Sequence, residues 1–583
     1  MGDGTERLPV VYTDKAQCRD CYRCVRVCPV KAIRMQGGQA SVDPGRCIVC
    51  GTCIRECPQG AKRYRSDLAR AQALVAGDRP VAVSVAPSFA SVYTPWEQRR
   101  LATALRLLGF AHVAETAVGA FYVAQATAEY CRARPGQSHI GTACPAVVSY
   151  VERHESELAD RLVPVVSPMV AHGRLIREKL GADTPVVFVG PCVAKKAEAD
   201  RPENNAVVDC VLTFTELAEW LQAAGVSLAA CEESGFDDEP LGHARLFPLE
   251  GGCLRTACIK ADGLSAEVVA VSGVDEVRDL LSALREGDRP LIVEPLFCAM
   301  GCVNGPAVSS ALPVFRRRAA VLGYGALPGA PAAPAARELP GLTTTFSPSA
   351  PACEPVSEDQ IRAALEATGK FSDEDELNCG ACGYASCRDK AIAVVQGMAE
   401  PEMCIPYMRR LAEQRTDRII ETSPNGIVIL DEDLAIVTMN PAFRRLFMCT
   451  DAVCGRPISY LMDPAGFERV ASGQESVVNT VVSHERYGLV CRHILYALPE
   501  DRQYVGIFVN ITSGETARRK LGELRARTLM QAQELLEHQI GMAQEIARYL
   551  GESAARGEQL VENLMSLAGD QADQLEGPAG EQE

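Results

Sequence analysis

No apolar run in the 583-residue chain approaches the length of a membrane-spanning helix, which needs about 20 consecutive apolar residues. The first residues, Met1-Gly-Asp-Gly-Thr-Glu-Arg7, contain no apolar signal core. Both absences lead us to expect a cytoplasmic protein with no membrane partner. Basic charge is also scarce: 59 Lys and Arg stand against 75 Asp and Glu, a net charge of −16. That balance argues against a nucleic-acid or anionic-membrane surface. The sequence shows no nucleotide-binding glycine box and no phosphorylatable histidine box, so any signalling output has to go to another protein.

What the chain does have is cysteine, 25 residues in all. In a cytosolic chain these are metal ligands before they are disulfides. The length is too great for one core and suggests roughly three to five domains. A hydrophobic fraction of 47% is enough to pack them.

Four stretches organise the chain: His139-Ile-Gly-Thr-Ala-Cys144-Pro, Val186-Val-Phe-Val-Gly-Pro-Cys192-Val-Ala-Lys195-Lys196, Leu291-Ile-Val-Glu-Pro-Leu-Phe-Cys298, and the Ala-Met-Gly-Cys302-Val-Asn-Gly that continues it. Val186–Val189 and Leu291–Val293 read as buried strands that end at Pro or Gly and then present a cysteine. Open α/β sheets bind cofactors at the carboxyl ends of their strands. Cys144, Cys192, Cys298 and Cys302 are therefore expected to converge, as ligands of an iron–sulfur cluster or of zinc.

These motifs resemble the active-site loops of FeFe (iron-only) hydrogenases. The resemblance implies a two-lobed α/β domain whose four cysteines bind the H-cluster, a 4Fe–4S cube joined to a two-iron subsite. It makes Cys302 the bridging ligand and sets Lys195 beside the cyanides. The chain departs from the family at Ala143, where the family has its proton-donating cysteine, and at Gly190 and Leu296, where it has methionines. The stretch Gly119–Ala128 lacks the acids of the family's proton path, and Glu129 is out of register. Such a site is built to bind the cluster and poorly built to deliver protons, which fits the branch of the family read as sensory.

Residues 1–70 carry Cys18-x2-Cys21-x2-Cys24-x3-Cys28-Pro and Cys47-x2-Cys50-x2-Cys53-x3-Cys57-Pro. This is the bacterial two-cluster ferredoxin pattern, in which the fourth cysteine of each run ligates the other cluster. One 4Fe–4S set is then Cys18, Cys21, Cys24 and Cys57, and the other Cys47, Cys50, Cys53 and Cys28. A pair of zinc sites needs a longer spacer between paired knuckles. The module is an electron wire.

The remaining expectations follow the chain. Residues 71–325 form the hydrogenase-like domain, with a first strand in Pro80–Pro87 and a helix over Trp96–Leu108. Its Cys131, Cys210, Cys231, Cys253 and Cys258 read as small buried hydrophobes. Residues 326–355, rich in Ala and Pro, form a semi-rigid linker. Residues 356–410 carry Cys379-x2-Cys382-x4-Cys387 and the distant Cys404-x-Pro, resembling a four-cysteine 4Fe–4S module. Residues 411–515 resemble a PAS domain: Ile419–Asp431 and Leu434–Phe443 read as strand, turn, strand and helix start, with late strands at Gly488–Tyr496 and Gln503–Asn510. No haem or flavin residue is recognisable there. Residues 516–583 read as an amphipathic or coiled-coil helix on Leu521, Leu524, Thr528, Leu535, Met542, Ile546 and Tyr549, followed by an acidic tail.

The fold class is thus multidomain, α/β and α+β. Three functions fit: a hydrogen or redox sensor, a metabolic hydrogenase, and an electron-transfer protein whose cleft holds only a 4Fe–4S cluster. The implied partners are a ferredoxin-like donor or acceptor, hydrogenase maturation factors, a signalling kinase or phosphatase in trans, and a second copy through PAS and helix.

Overall fold

The computed structural model describes residues 9–204, 206–238, 240–259, 266–287, 289–326, 341–351 and 355–512, without the side chains of residues 413–417. The C-terminal helix and acidic tail expected over 516–583, most of the Ala/Pro-rich linker and Cys353 lie outside the described residues. Among the described residues no helix is long and apolar enough to cross a membrane. The chain divides into two compact units, Met1–Met403 and Cys404–Glu583.

The first unit opens with two short antiparallel pairs, Val11–Thr13 with Lys62–Tyr64 and Ile33–Gln36 with Gln39–Val42. Each cysteine run enters a one-turn helix, Arg23–Val27 or Thr52–Glu56, from a left-handed residue, Tyr22 (φ 55°) or Gly51 (φ 76°). Gly51 has a second constraint: an added Cβ would lie 2.4 Å from Pro306 Cγ. The second cysteine run is thereby pressed against the loop that carries Cys302.

Two parallel sheets follow. The first has the order His112–Glu115, Ala82–Val85, Val186–Gly190, Cys210–Thr213. Its central strands are apolar, β-branched and buried on both faces, as parallel strands covered by helices must be. The second has the order Val268–Ser272, Ile292–Leu296, His139–Ile140. These are the two lobes the family resemblance implied, each with its own apolar core. The helix expected over Trp96–Leu108 is two helices, Pro95–Gln98 and Leu101–Leu107. The break falls at Arg99-Arg100, where φ of Arg100 opens to −106°.

The described part of the expected linker does not span free space. Val166 N–H donates to Leu342 O (2.9 Å), Thr344 N–H to Pro164 O (3.1 Å) and Ser349 N–H to Glu152 O (2.7 Å). The chain then forms the helices Glu358–Glu366 and Cys387–Val395.

The second unit begins at Cys404, which caps the helix Ile405–Thr422. It contains a five-stranded antiparallel sheet in the order Ile436–Met439, Gly426–Leu430, Gln503–Asn510, Leu489–Leu498, Val477–His484. The strand Val477–His484 was not read from the sequence, because its valines fall on both faces, Val481 on the exposed one, and no clean alternation marks it. Asn440 joins the first hairpin to the next helix: its Oδ1 accepts from Ile427 N–H (2.8 Å) and Phe443 N–H (2.9 Å).

Candidate cluster sites and their wiring

Each cleft cysteine follows a strand end. Cys192 comes just after Val186–Gly190 in the first lobe. In the second lobe Cys144 caps the helix Pro145–His154 just past His139–Ile140, and Cys298 follows Ile292–Leu296. Cys302 opens a tight turn that its own N–H pins to Pro248 O at 2.7 Å. The turn requires Gly301, since a Cβ there would meet Pro248 O at 2.3 Å. Thr142 sets the position of Cys144 by donating from Oγ1 to Val165 O at 2.7 Å.

The four thiols meet electrostatically. Burial pushes Cys192 up to about 12, with Cys144 adding to the effect and Lys195 opposing it. Burial raises Cys302 further, with added repulsion from Cys192 and Cys144 and relief from Lys195. Cys298 is likewise raised by burial and then by Cys192, Cys302, Cys144 and Cys50. A thiolate is the ligand form, and bound metal is what stabilises it in such a place. Four half-buried thiols with one ammonium among them fit an iron–sulfur cube. Among the described residues, no three His, Cys, Asp or Glu side chains converge on a single-ion site.

In the ferredoxin region the thiols fall into two neighbouring groups. Burial pushes Cys24 up to about 11, and its thiol neighbours are Cys21, Cys18 and Cys57. Cys53 is raised well up by burial, then by Cys50, Cys47 and Cys28. The second set reaches the cleft: Cys144 is a neighbour of Cys50, itself raised by burial to about 11. The two regions are bolted together by His154 Nε2 to Arg46 O (2.9 Å) and Arg153 Nη1 to Pro44 O (3.0 Å).

Lys195 is nearly buried. Its ammonium donates to Glu198 Oε2 at 2.7 Å and to Ala143 O at 3.4 Å. Ala143 thus offers the cleft a methyl and a carbonyl already engaged by Lys195. Where the family has a methionine, Gly190 leaves its space to the Phe188 ring, which stands 2.6 Å from where a Cβ would be. Leu296 is buried. Cys379, Cys382 and Cys387 lie in the first unit, and Cys404 heads the second. Cys131, Cys210, Cys231 and Cys253 are buried as expected, whereas Cys258 is exposed with φ 57°.

Two features were missed. Glu294, fully buried, accepts from Cys253 N–H (3.1 Å) and Leu254 N–H (2.9 Å), and burial raises it to about 7. Its signal was available: an acid inside the apolar strand Ile292–Leu296. The second is Lys196, wholly buried among Asp67, Glu216 and Val211 O. Nothing in its sequence setting separated it from Lys195.

The family described as iron-only hydrogenase large subunit, C-terminal domain, matches residues 79–306. A 4Fe–4S dicluster domain matches 10–58, an Fe–S cluster family 375–406, and a PAS domain 414–480. The chain is similar to the periplasmic Fe hydrogenase large subunit of Nitratidesulfovibrio vulgaris, at 25% identity over 52% of this chain and 86% of that protein. It is similar to the cytosolic iron–sulfur assembly component 3 of Bos taurus, at 25% identity over 36% of this chain and 56% of that protein. The chain spans about half the length of several curated relatives it matches. A solved FeFe-hydrogenase of Chlamydomonas reinhardtii matches at 21% identity, covering 44% of this chain and 88% of that one with a TM-score of 0.38. The chain is an FeFe-hydrogenase-like iron–sulfur protein, with the iron-only hydrogenase large-subunit domain set between a 4Fe–4S dicluster domain and a PAS domain.

Proposed function

We propose that this protein senses dihydrogen or redox state. Cys144, Cys192, Cys298 and Cys302 would hold an H-cluster in the cleft. The two ferredoxin sets, and a further 4Fe–4S cluster that Cys379, Cys382, Cys387 and Cys404 would hold, would supply electron transfer. PAS and the C-terminal segment pass the state to a kinase or phosphatase in trans. Once bound, the active-site group supplies the redox chemistry of dihydrogen. The chain's residues hold and orient it: Lys195 is fixed between Glu198 and the Ala143 carbonyl, where its charge offsets the cleft thiolates.

The observation that carries this reading is Ala143 beside a complete set of cleft thiols. The cleft can bind the group, but a methyl can neither give nor take a proton. A positioned acid–base group contributes about a hundred- to ten-thousand-fold. Turnover should therefore be slow while hydrogen-dependent redox changes remain detectable. The maturated protein and its Ala143→Cys variant test this by hydrogen evolution and infrared spectroscopy. CO and cyanide bands with slow wild-type turnover are expected, and wild-type turnover at metabolic rates would overturn the sensor reading.

The similarity to an iron–sulfur assembly component favours a second reading, in which the cleft holds a 4Fe–4S cluster alone. Maturated protein with full iron and no CO or cyanide bands would establish it.

A further inference from the structure

In sequence order the cysteine module of residues 356–403 follows the hydrogenase-like domain. In space it lies on the ferredoxin region. Arg26 joins the two, donating from Nη1 to Ala381 O (3.1 Å) and from Nη2 to Cys21 O (2.9 Å). Met35 N–H donates to Met398 O (3.0 Å), and Arg46 Nη2 to Gln396 Oε1 (2.8 Å). Glu400 accepts from Gly37 N–H. Gly383 (φ 94°) packs against the Arg26 backbone, which a Cβ would meet at 3.1 Å. Tyr384 is buried in one apolar cluster with Tyr22, Cys24 and Cys28.

Lys31 sits at this junction. Its backbone N–H donates to Cys28 O (3.4 Å), and its ammonium stands 6.0 Å from the centre of the Tyr384 ring, two residues past Cys382. The ammonium donates to Val25 O (3.1 Å) and Arg26 O (3.3 Å). Burial lowers its pKa, and Cys28 and Cys382 act on it electrostatically in the opposite sense, with Arg278 opposing them. The Tyr384 hydroxyl beside them is buried and has no hydrogen-bond partner. Lys31 also holds φ at 46°, a left-handed conformation that costs a lysine strain and a glycine none. Backbone geometry alone would select glycine there, so the side chain has its own role.

We propose that Lys31 is a shared counter-charge for two cluster sites, the ferredoxin set containing Cys28 and the module set containing Cys382, and that the module exchanges electrons with the ferredoxin region rather than directly with the cleft. The exchange is one electron passing from a reduced cube to an oxidised one, with no bond or proton moved. A cation shared by two cubes stabilises the extra electron on either, so it raises both reduction potentials. The inference rests on Cys28 and Cys382 being cluster ligands.

The test uses the full chain, reconstituted with iron and sulfide and titrated potentiometrically under electron paramagnetic resonance. Lys31→Asn removes the charge with a residue that tolerates the left-handed region, and Lys31→Arg keeps the charge. We expect two midpoints to fall together in Lys31→Asn, the others to stay, and Lys31→Arg to restore both. A lysine that merely capped the helix Arg23–Val27 would leave the Cys382 cluster's midpoint in place. Unmoved midpoints, or one moving alone, at full iron content would therefore overturn the inference. Low iron in the unaltered protein would instead overturn the ligand reading beneath it. Should Lys31→Asn lose iron, the unaltered protein decides the matter. Its fully reduced ferredoxin signals, already coupled to each other, should carry additional broadening from the module cluster, and Cys382→Ser should remove that added part. Signals unchanged by Cys382→Ser would refute the junction.

Discussion

Replacing Lys196 by methionine should destabilise the hydrogenase-like domain more than any other single change beside the cleft. The ammonium is completely buried, with Asp67 Oδ2 at 3.1 Å, Glu216 Oε1 at 3.0 Å and Val211 O at 2.7 Å. Removing one partner of a buried ionic network costs about 3–5 kcal/mol, because the remaining charge is left uncompensated. Asp67 keeps Arg65, 2.8 Å away, which places the expected loss near the lower end, about 3 kcal/mol. Glu216 keeps its N–H donors Asp67 and Thr213, both at 2.7 Å, but loses its cation. Trp220 lies on the same helix as Glu216, Phe214–Ala223, and is buried, so its fluorescence reports this region during urea unfolding. With a slope of about 3 kcal/mol/M, the loss moves the midpoint down by about 1 M. Adding Glu216→Gln to Lys196→Met removes the orphaned charge and should recover part of the loss, as coupled neighbours do. Cys192 lies two residues before the helix Ala194–Ala199 that carries Lys196, so iron retention should fall alongside stability. A midpoint within 0.2 M of the unaltered protein, about 0.6 kcal/mol at that slope, would refute the reasoning.

Three further outcomes are expected. Anaerobic reconstitution should load about sixteen iron per chain, four cubes on sixteen cysteines, and a stable zinc-loaded protein with little iron would contradict the ligand sets. Cys50→Ser should disable the ferredoxin cluster nearest the cleft and slow reduction of the cleft from a ferredoxin donor; an unchanged rate would place the entry point elsewhere. His172 is buried, with Nδ1 2.8 Å from Ser84 Oγ, and burial holds it down at about 3. The unfolded chain takes up that proton below about 6.5 and the folded one does not, so the contribution to stability is lost as pH falls from 6.5 toward 3. At pH 5 that amounts to about 2 kcal/mol. A His172→Asn variant should lack this part of the pH dependence when unfolding midpoints are compared at pH 7 and pH 5.

The cysteine spacing is where the sequence speaks most directly, and it is the basis of the ligand sets proposed above. A thiolate ligand has no common substitute at an iron–sulfur cube, and the runs ending at Cys28 and Cys57 are short enough for local geometry to dictate the wrap. The strands before Cys192 and Cys298 were legible for a related reason: a parallel strand covered on both faces must be an unbroken apolar run, and Val186–Val189 is one. Edges and surfaces were less legible. Val477–His484 has one exposed face, so its pattern dilutes, and the helix break at Arg99-Arg100 depends on local backbone angles that no side chain announces.

Only the tertiary structure decided which parts meet. Nothing near Cys379 or Cys382 in sequence points to Arg26 and Lys31, about 350 positions away, because much of the contact is made by backbone carbonyls and a tyrosine face, groups every sequence contains. Nor does the sequence distinguish Lys195 from Lys196. Adjacent on one short helix, they face different neighbours, Lys195 toward the Ala143 carbonyl and Glu198 and Lys196 toward two buried carboxylates. Their different roles are set by how the two lobes close around them.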